Sequence, residues 1–278
     1  MLNVGEKSII RVISSKKISL WDYLIELYKY RNFIWVFAWQ EFKLQYVQTR
    51  FSIFWIVLRP LIIVAIFTFI FDKLIHIPTL HYPYPLFAIS GLIIWNNFSF
   101  MVNNAGNVIV SNQQLIKKVY FPRLILILSK FLIGMVDVTV TFILLIILIS
   151  IWKYPLTRHL VFFPVFLFSG ALSGSALAIL LNAFTIKHRD LHQFVPTLIG
   201  FMIWLTPVFY PITIIPQNYS YLVYLNPIAG IIQGSRWAIL GDTFPSIWFL
   251  PSFICCLVIL IGSVVLFIRN EDVLSDYV

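Results

Sequence analysis

The 278-residue chain is 60% hydrophobic and 17% aromatic, with only 11% charged residues and a mean hydropathy of +0.90. Soluble domains average nearer 45–50% apolar and about 25% charged, so lipid must be the solvent for much of this surface. The net charge of +9 gathers in a few segments as the positive-inside bias of a membrane protein, which excludes a soluble enzyme and a nucleic-acid binder.

Residues 1–51 form a first unit, read as cytoplasmic amphipathic helices. Lys7, Arg11, Lys16, Lys17, Lys29, Arg31, Lys43 and Arg50 all fall here. Ser19 to Asp22 reads as a capping box that opens a helix. Leu20, Tyr23, Leu24, Leu27 and Tyr28 then form an apolar stripe at helical spacing. Ile34–Tyr46 continues with Trp35, Phe37, Trp39 and Phe42. Both stretches suit helices lying in the interface, rings at headgroup depth and basic groups toward anionic lipid.

A spanning helix needs about 20 mostly apolar residues. Such runs lie near Ser52–Phe71, Tyr84–Val110, Leu124–Trp152, Leu160–Phe184, Phe194–Ile212 and Ile247–Ile268. The fold class expected is therefore an all-α membrane protein, with residues 52–278 as a six-helix transmembrane domain. A cytoplasmic N-terminus puts Lys117, Lys118, Arg123, Lys187 and Arg189 inside as well, and both termini in the cytoplasm. The first fifty residues hold no apolar signal segment, so the first span is expected to direct insertion. Residues 211–246 carry Pro211, Pro216, Pro227 and Pro245 around an apolar stretch, Ile228–Leu240, too short to span. That length fits a re-entrant or interfacial hairpin buried in protein or lining a cavity.

Catalytic machinery is sparse. His76, His81, His159, His188 and His192 scatter through loops, and Cys255 and Cys256 are adjacent within an apolar run, without metal-ligand spacing. No phosphate-binding loop of the G-x-x-x-x-G-K-[ST] type is present. Polar residues inside the spans say more, since lipid makes them costly. At 100° per residue Asn96, Asn97, Asn103, Asn104 and Asn107 fall on one face of the second span. They either line a hydrated path or hydrogen-bond to neighbouring helices. Asp137, mid-way along the third span, needs a partner on another helix, because Lys130 lies two turns away. Arg59-Pro60 is expected to snorkel and to kink the first span. Gly170, Gly174 and Ala178 make a small-residue stripe for close packing. Phe51, Phe54 and Trp55, and Phe194, Phe201 and Trp204, cluster on two spans, either as interface belts or as surfaces over which a glycan slides.

Five segments, in order along the chain, resemble the ABC-transporter permeases that export polysaccharides and polyol phosphates, the O-antigen, capsule and teichoic acid type. They are Tyr46 through Leu61, Leu115 through Arg123, Asn182 through Leu191, Thr206 through Pro211, and Leu225-Asn226-Pro227 with Gly230, Gly234 and Arg236 through Gly241. Ser52, Leu124 and Gln233 depart from residues common in that family.

The resemblance implies a half-transporter: two copies form the path, and two copies of a cytoplasmic ATPase, carrying ATP and Mg, drive it. This chain would hold no cofactor or metal itself, and would be no enzyme. Asn112, Leu115, Lys117, Lys118, Tyr120, Phe121, Pro122 and Arg123 would couple to the ATPase. Phe51, Phe54, Trp55, Asn96, Asn103, Asn107, Phe194, Phe201 and Trp204 would line the glycan path. Lys43, Arg50 and Arg59 would attract the phosphates of a polyprenyl-pyrophosphate-linked glycan in the cytoplasmic (inner) membrane. Pro207, Tyr210, Pro211, Asn226, Pro227, Gly230 and Arg236 would belong to a gating region. A same-architecture exporter of drugs or lipids, a membrane enzyme acting on polyprenol-linked sugars and an ion-coupled carrier using Asp137 are the competing readings.

Overall fold

A computed structural model of the chain describes residues 20–47, 52–76, 82–185, 190–244 and 249–277. The described residues are helical, with no strand among them. Helices α1 (Leu20–Lys29) and α2 (Arg31–Phe42) come first, α2 running on into a π-helical turn, Lys43–Val47. Ser19, Arg50 and Phe51 lie outside the described residues. Tyr23 is the buried anchor of α1, whereas Trp21, Trp35 and Trp39 are exposed.

α3 (Ser52–Phe67) carries Pro60 without interruption and ends in a π-helical stretch, Thr68–Leu74. α4 (Tyr84–Phe100) is the hub, buried along almost its whole length. It packs against α7 (Leu124–Ile151), α8 (Phe163–Thr185) and α11 (Ala229–Leu240). The glycine stripe of α8 makes the closest of these approaches. A Cβ on Gly174 would stand 2.7 Å from Met101 Cβ and 2.9 Å from the Phe98 carbonyl, and one on Gly170 3.0 Å from Ile94. Small residues there let two backbones meet where lipid supplies no hydrophobic drive between helices.

The second apolar run, expected to reach Val110 unbroken, stops earlier. A π-helical turn, Met101–Ala105, follows α4, the chain leaves helix at Asn107, and short α5 (Val108–Ser111) and α6 (Gln113–Lys118) follow. The wider π turn shifts the register, so the single asparagine face drawn at 100° per residue divides. Asn97 turns inward, 2% exposed, while Asn96, Asn103 and Asn104 look into one cavity.

Among the described residues, five segments are long and apolar enough to cross a membrane: Phe54–Leu74, Tyr84–Ala105, Leu124–Ile151, Arg158–Phe184 and Leu250–Arg269. The run expected at Phe194–Ile212 is the exception. α9 (Leu191–Leu205) has 15 residues, about 22 Å at 1.5 Å per residue, against a hydrocarbon core of about 30 Å. It ends because Thr206 is extended, the conformation that Pro207 favours in the residue before it.

Beyond the 206–211 turn lie a 3₁₀ turn (Ile212–Ile214), α10 (Gln217–Val223) and α11. Whereas α10, from the same expected hairpin, leaves Tyr219, Tyr221 and Leu222 exposed, α11 is sheathed by α4, α8 and α12 (Phe249–Tyr277). Its end is set by Gly241, φ +70°, the left-handed cap that glycine adopts without strain. α12 continues nine residues past Ile268, through Glu271 and Asp272.

Candidate functional site

Two of the polar clusters among the described residues gather residues singled out in the sequence. The first is built on Arg236, in the middle of α11, whose side chain is fully buried. Its guanidinium donates from Nη1 to the Pro207 carbonyl at 2.7 Å and from Nη2 to the Val208 carbonyl at 2.5 Å. It lies over the Phe87 ring at 3.7 Å, a cation–π contact that strengthens when desolvated. Burial pushes the guanidinium down, to about 9, so it stays charged at neutral pH. Glycine is required opposite it: a Cβ on Gly91 would meet Nη2 at 2.9 Å and the Val208 carbonyl at 3.0 Å.

Other bonds tie the same turn. Tyr84 Oη donates to the Phe209 carbonyl at 2.8 Å, Tyr210 Oη to the Trp204 carbonyl at 3.2 Å, and Asn226 Nδ2 to Thr206 Oγ1 at 2.9 Å. Ser252 of α12 donates to the Tyr224 and Asn226 carbonyls and accepts from the Gly230 amide. Thus Pro207, Tyr210, Pro211, Asn226, Pro227, Gly230 and Arg236, named from separate stretches of sequence, form one connected assembly around the end of α9. Thr206, from the same Thr206–Pro211 stretch, joins it, and Phe87, Gly91 and Ser252, which sequence reasoning passed over, complete it. Beside it, burial first and the Asp242 carboxylate second push the Tyr82 and Tyr154 phenols up, keeping both neutral.

The second cluster is a cavity of about 310 Å³ between α2, α3, α4 and α7, lined by Gln45, Tyr46, Trp55, Ile56, Arg59, Pro60, Asn96, Ser99, Phe100, Asn103, Asn104, Asp137 and Thr141. Asp137 finds its partner here: Tyr46 Oη donates to Oδ1 at 2.9 Å. Lys130 is not that partner, being paired with Glu41 of α2. Arg59, expected to snorkel, faces this cavity and acts on Asp137 through its charge. Asn107 lies off it, its amide donating to the Asn103 carbonyl. Lys43 is exposed, 5.4 Å from the Trp39 ring.

The aromatic residues divide. Trp55 stands at the cavity and is half exposed; Phe54, Phe194, Phe201 and Trp204 project from α3 and α9. Phe67 connects these helices, stacked on Phe209 at 3.6 Å and meeting Trp204 at 5.7 Å. The 112–123 segment also has two halves. Lys117, Lys118 and Tyr120 are exposed, while Phe121, Pro122 and Arg123 are buried, Phe121 lying 5.7 Å from Phe37 of α2. Leu115 packs partly into that core, and Asn112 closes α5 through a bond to the Val108 carbonyl.

No group of three or more histidine, cysteine, aspartate or glutamate side chains able to hold a metal occurs among the described residues. Comparison with known proteins agrees with a transport role. The chain is 26% identical over 224 residues to an O-antigen export system permease protein RfbA of Klebsiella pneumoniae, covering 79% of this chain and 86% of the relative. A protein of the same name from Myxococcus xanthus is 27% identical over 212 residues, covering 74% of this chain and 80% of the relative. The model of the ABC-2 type transporter family matches residues 32–240. With apolar spanning helices and that match across most of its length, the chain belongs to the ABC-2 type transporter family, as a multi-pass membrane transport subunit rather than an enzyme.

Proposed function

We propose that the chain is the permease half of an exporter that moves a lipid-linked polysaccharide across the cytoplasmic membrane, driven by a separate ATPase that carries ATP and Mg. The observation that carries this reading is the cavity joining Arg59, a phosphate-type cation, to Asn96, Asn103, Asp137 and Trp55, a set suited to a sugar. The relatives named as O-antigen export permeases support the same substrate class.

Residues 52–278 then form the permease domain, crossing the membrane six times, with α9 and the turn after it as the fifth crossing. α10 and α11 are the re-entrant gating pair, and residues 1–51 lie at the cytoplasmic interface. The open aromatic faces of α3 and α9 turn toward a second copy, and between the two copies the glycan passes. The exposed Lys117, Lys118 and Tyr120 receive the ATPase, and the buried Phe121–Arg123 half passes its movement to α2 and α7.

The direct test is reconstitution of the permease with its ATPase in proteoliposomes loaded with fluorescent polyprenyl-pyrophosphate-linked glycan. ATP-dependent movement of the glycan across the bilayer is the expected result. ATP hydrolysis without glycan movement, alongside movement of a drug or phospholipid, contradicts it.

A further inference from the structure

The geometry points to the cavity between α3, α4 and α7 as a site that reads the first sugar of the substrate, the one attached to the pyrophosphate. The inference rests on the export reading above and deepens it. Its basis is a set of polar atoms left without partners. Asp137 uses Oδ1 to accept from Tyr46, and Oδ2 has no hydrogen bond among the described residues. Asn103 donates to Ser99 but its Oδ1 is buried with no partner. The Asn96 amide lines the cavity and makes no hydrogen bond among the described residues. Of these only Asn103 Oδ1 is fully buried, and leaving such a group unpaired costs about 1–3 kcal/mol.

The positions open to a ligand are the Asp137 Oδ2 acceptor and the Asn96 amide, which match the hydroxyls of a sugar, each able to donate and to accept, and the buried Asn103 Oδ1 joins them only when its side chain turns. A phosphate fits them poorly. It only accepts, and the Asp137 carboxylate repels it by about 1 kcal/mol at 4 Å in water and more where water is thin. Arg59 is exposed, so the phosphate stands at its guanidinium, on the open side, with the neutral ring farther in. Trp55 supplies a flat apolar face for that ring. A volume of about 310 Å³ lies at the lower end of the range for small-ligand pockets, about 300–1,000 Å³. It has room for one sugar ring and not for a chain, so the site identifies the start of the polymer and ignores its length.

The experiment uses the permease–ATPase complex in nanodiscs and two radiolabelled probes, polyprenyl pyrophosphate bearing one sugar and the same lipid without it. The sugar should tighten binding about tenfold, worth about 1.4 kcal/mol. Asp137→Asn keeps an acceptor for Tyr46, and should abolish that preference while binding the bare lipid no more weakly, because a charge that repels the phosphate has gone. Arg59→Gln should weaken both probes together and keep their ratio. Asn96→Ala, a second change in the sugar contacts, should reduce the ratio in part. Equal binding of the two probes to the unsubstituted protein, or a preference that survives Asp137→Asn, overturns the proposal. Full displacement of the sugar-bearing probe by phosphatidylglycerol overturns it too, and makes the cavity a lipid-headgroup site. If neither probe binds, deletion of the gene separates the two claims. Loss of surface glycan on deletion overturns the sugar site alone, whereas an unchanged surface removes the export reading with it.

Discussion

The polar clusters around Arg236 and Asp137 are built on opposite plans. Around Arg236 both terminal guanidinium nitrogens are spent on carbonyls, the guanidinium sits on a ring, and glycine at 91 leaves no spare room, so that only its buried Nε is left without a hydrogen bond among the described residues. Around Asp137 there is a cavity of about 310 Å³, with acceptors left open and aromatic and basic residues at its margin. A buried charge held by several strong bonds resists any rearrangement, because breaking one contact strands the rest. A hollow with unspent hydrogen bonds is stable only if water or a ligand completes it. The first cluster therefore fixes the broken end of α9, and the second is where a substrate can make bonds that the protein has not already made.

Substitutions should separate the two plans, and the largest effect belongs to the clamp. Arg236→Met leaves the Pro207 and Val208 carbonyls without their donor, and should cost about 1–3 kcal/mol for each buried acceptor left unpaired. Thermal unfolding of the detergent-solubilised protein would show it. Gly91→Ala pushes a methyl against Nη2 and the Val208 carbonyl, and should cost about 1–3 kcal/mol by overpacking, read in the same assay. If either change is tolerated, the clamp is looser than the geometry implies.

In the cavity the expected losses of stability are smaller and the functional ones larger. Tyr46→Phe removes a single hydrogen bond to Asp137, worth about 0.5–1.5 kcal/mol, so unfolding should move little. Lys117→Glu with Lys118→Glu changes two exposed side chains, and should alter stability by no more than about 0.5 kcal/mol. The double variant should nevertheless fail to copurify with the ATPase. A stable, fully active complex carrying it would place the coupling surface elsewhere.

How much of this was legible in the sequence differs between the same two regions. Hydropathy alone located Leu124–Ile151 and the Arg158–Phe184 crossing within a few residues, because length and apolarity in lipid leave few alternatives. The glycine stripe at 170 and 174 likewise announced its close approach to α4. The Arg236 cluster was visible only as separated residues. That its guanidinium reaches the Pro207 and Val208 carbonyls depends on where α9 stops and how α11 docks, which is tertiary information. For the cavity, periodicity misled: a regular α-helix keeps Asn97 and Asn104 on one side, but the π turn at 101–105 follows Asn97 and shifts Asn103 and Asn104, which face the cavity while Asn97 packs inward against α7. The partner of Asp137 could not be foreseen either, since Tyr46 lies 91 residues away, in the π-helical turn after α2.

The central claim, export of a lipid-linked glycan, is tested most directly by deleting the gene in its own host and following surface and intracellular glycan together. The account predicts loss of one surface polymer with its lipid-linked form accumulating inside, restored by the unsubstituted gene. An unchanged surface with no internal accumulation would contradict it.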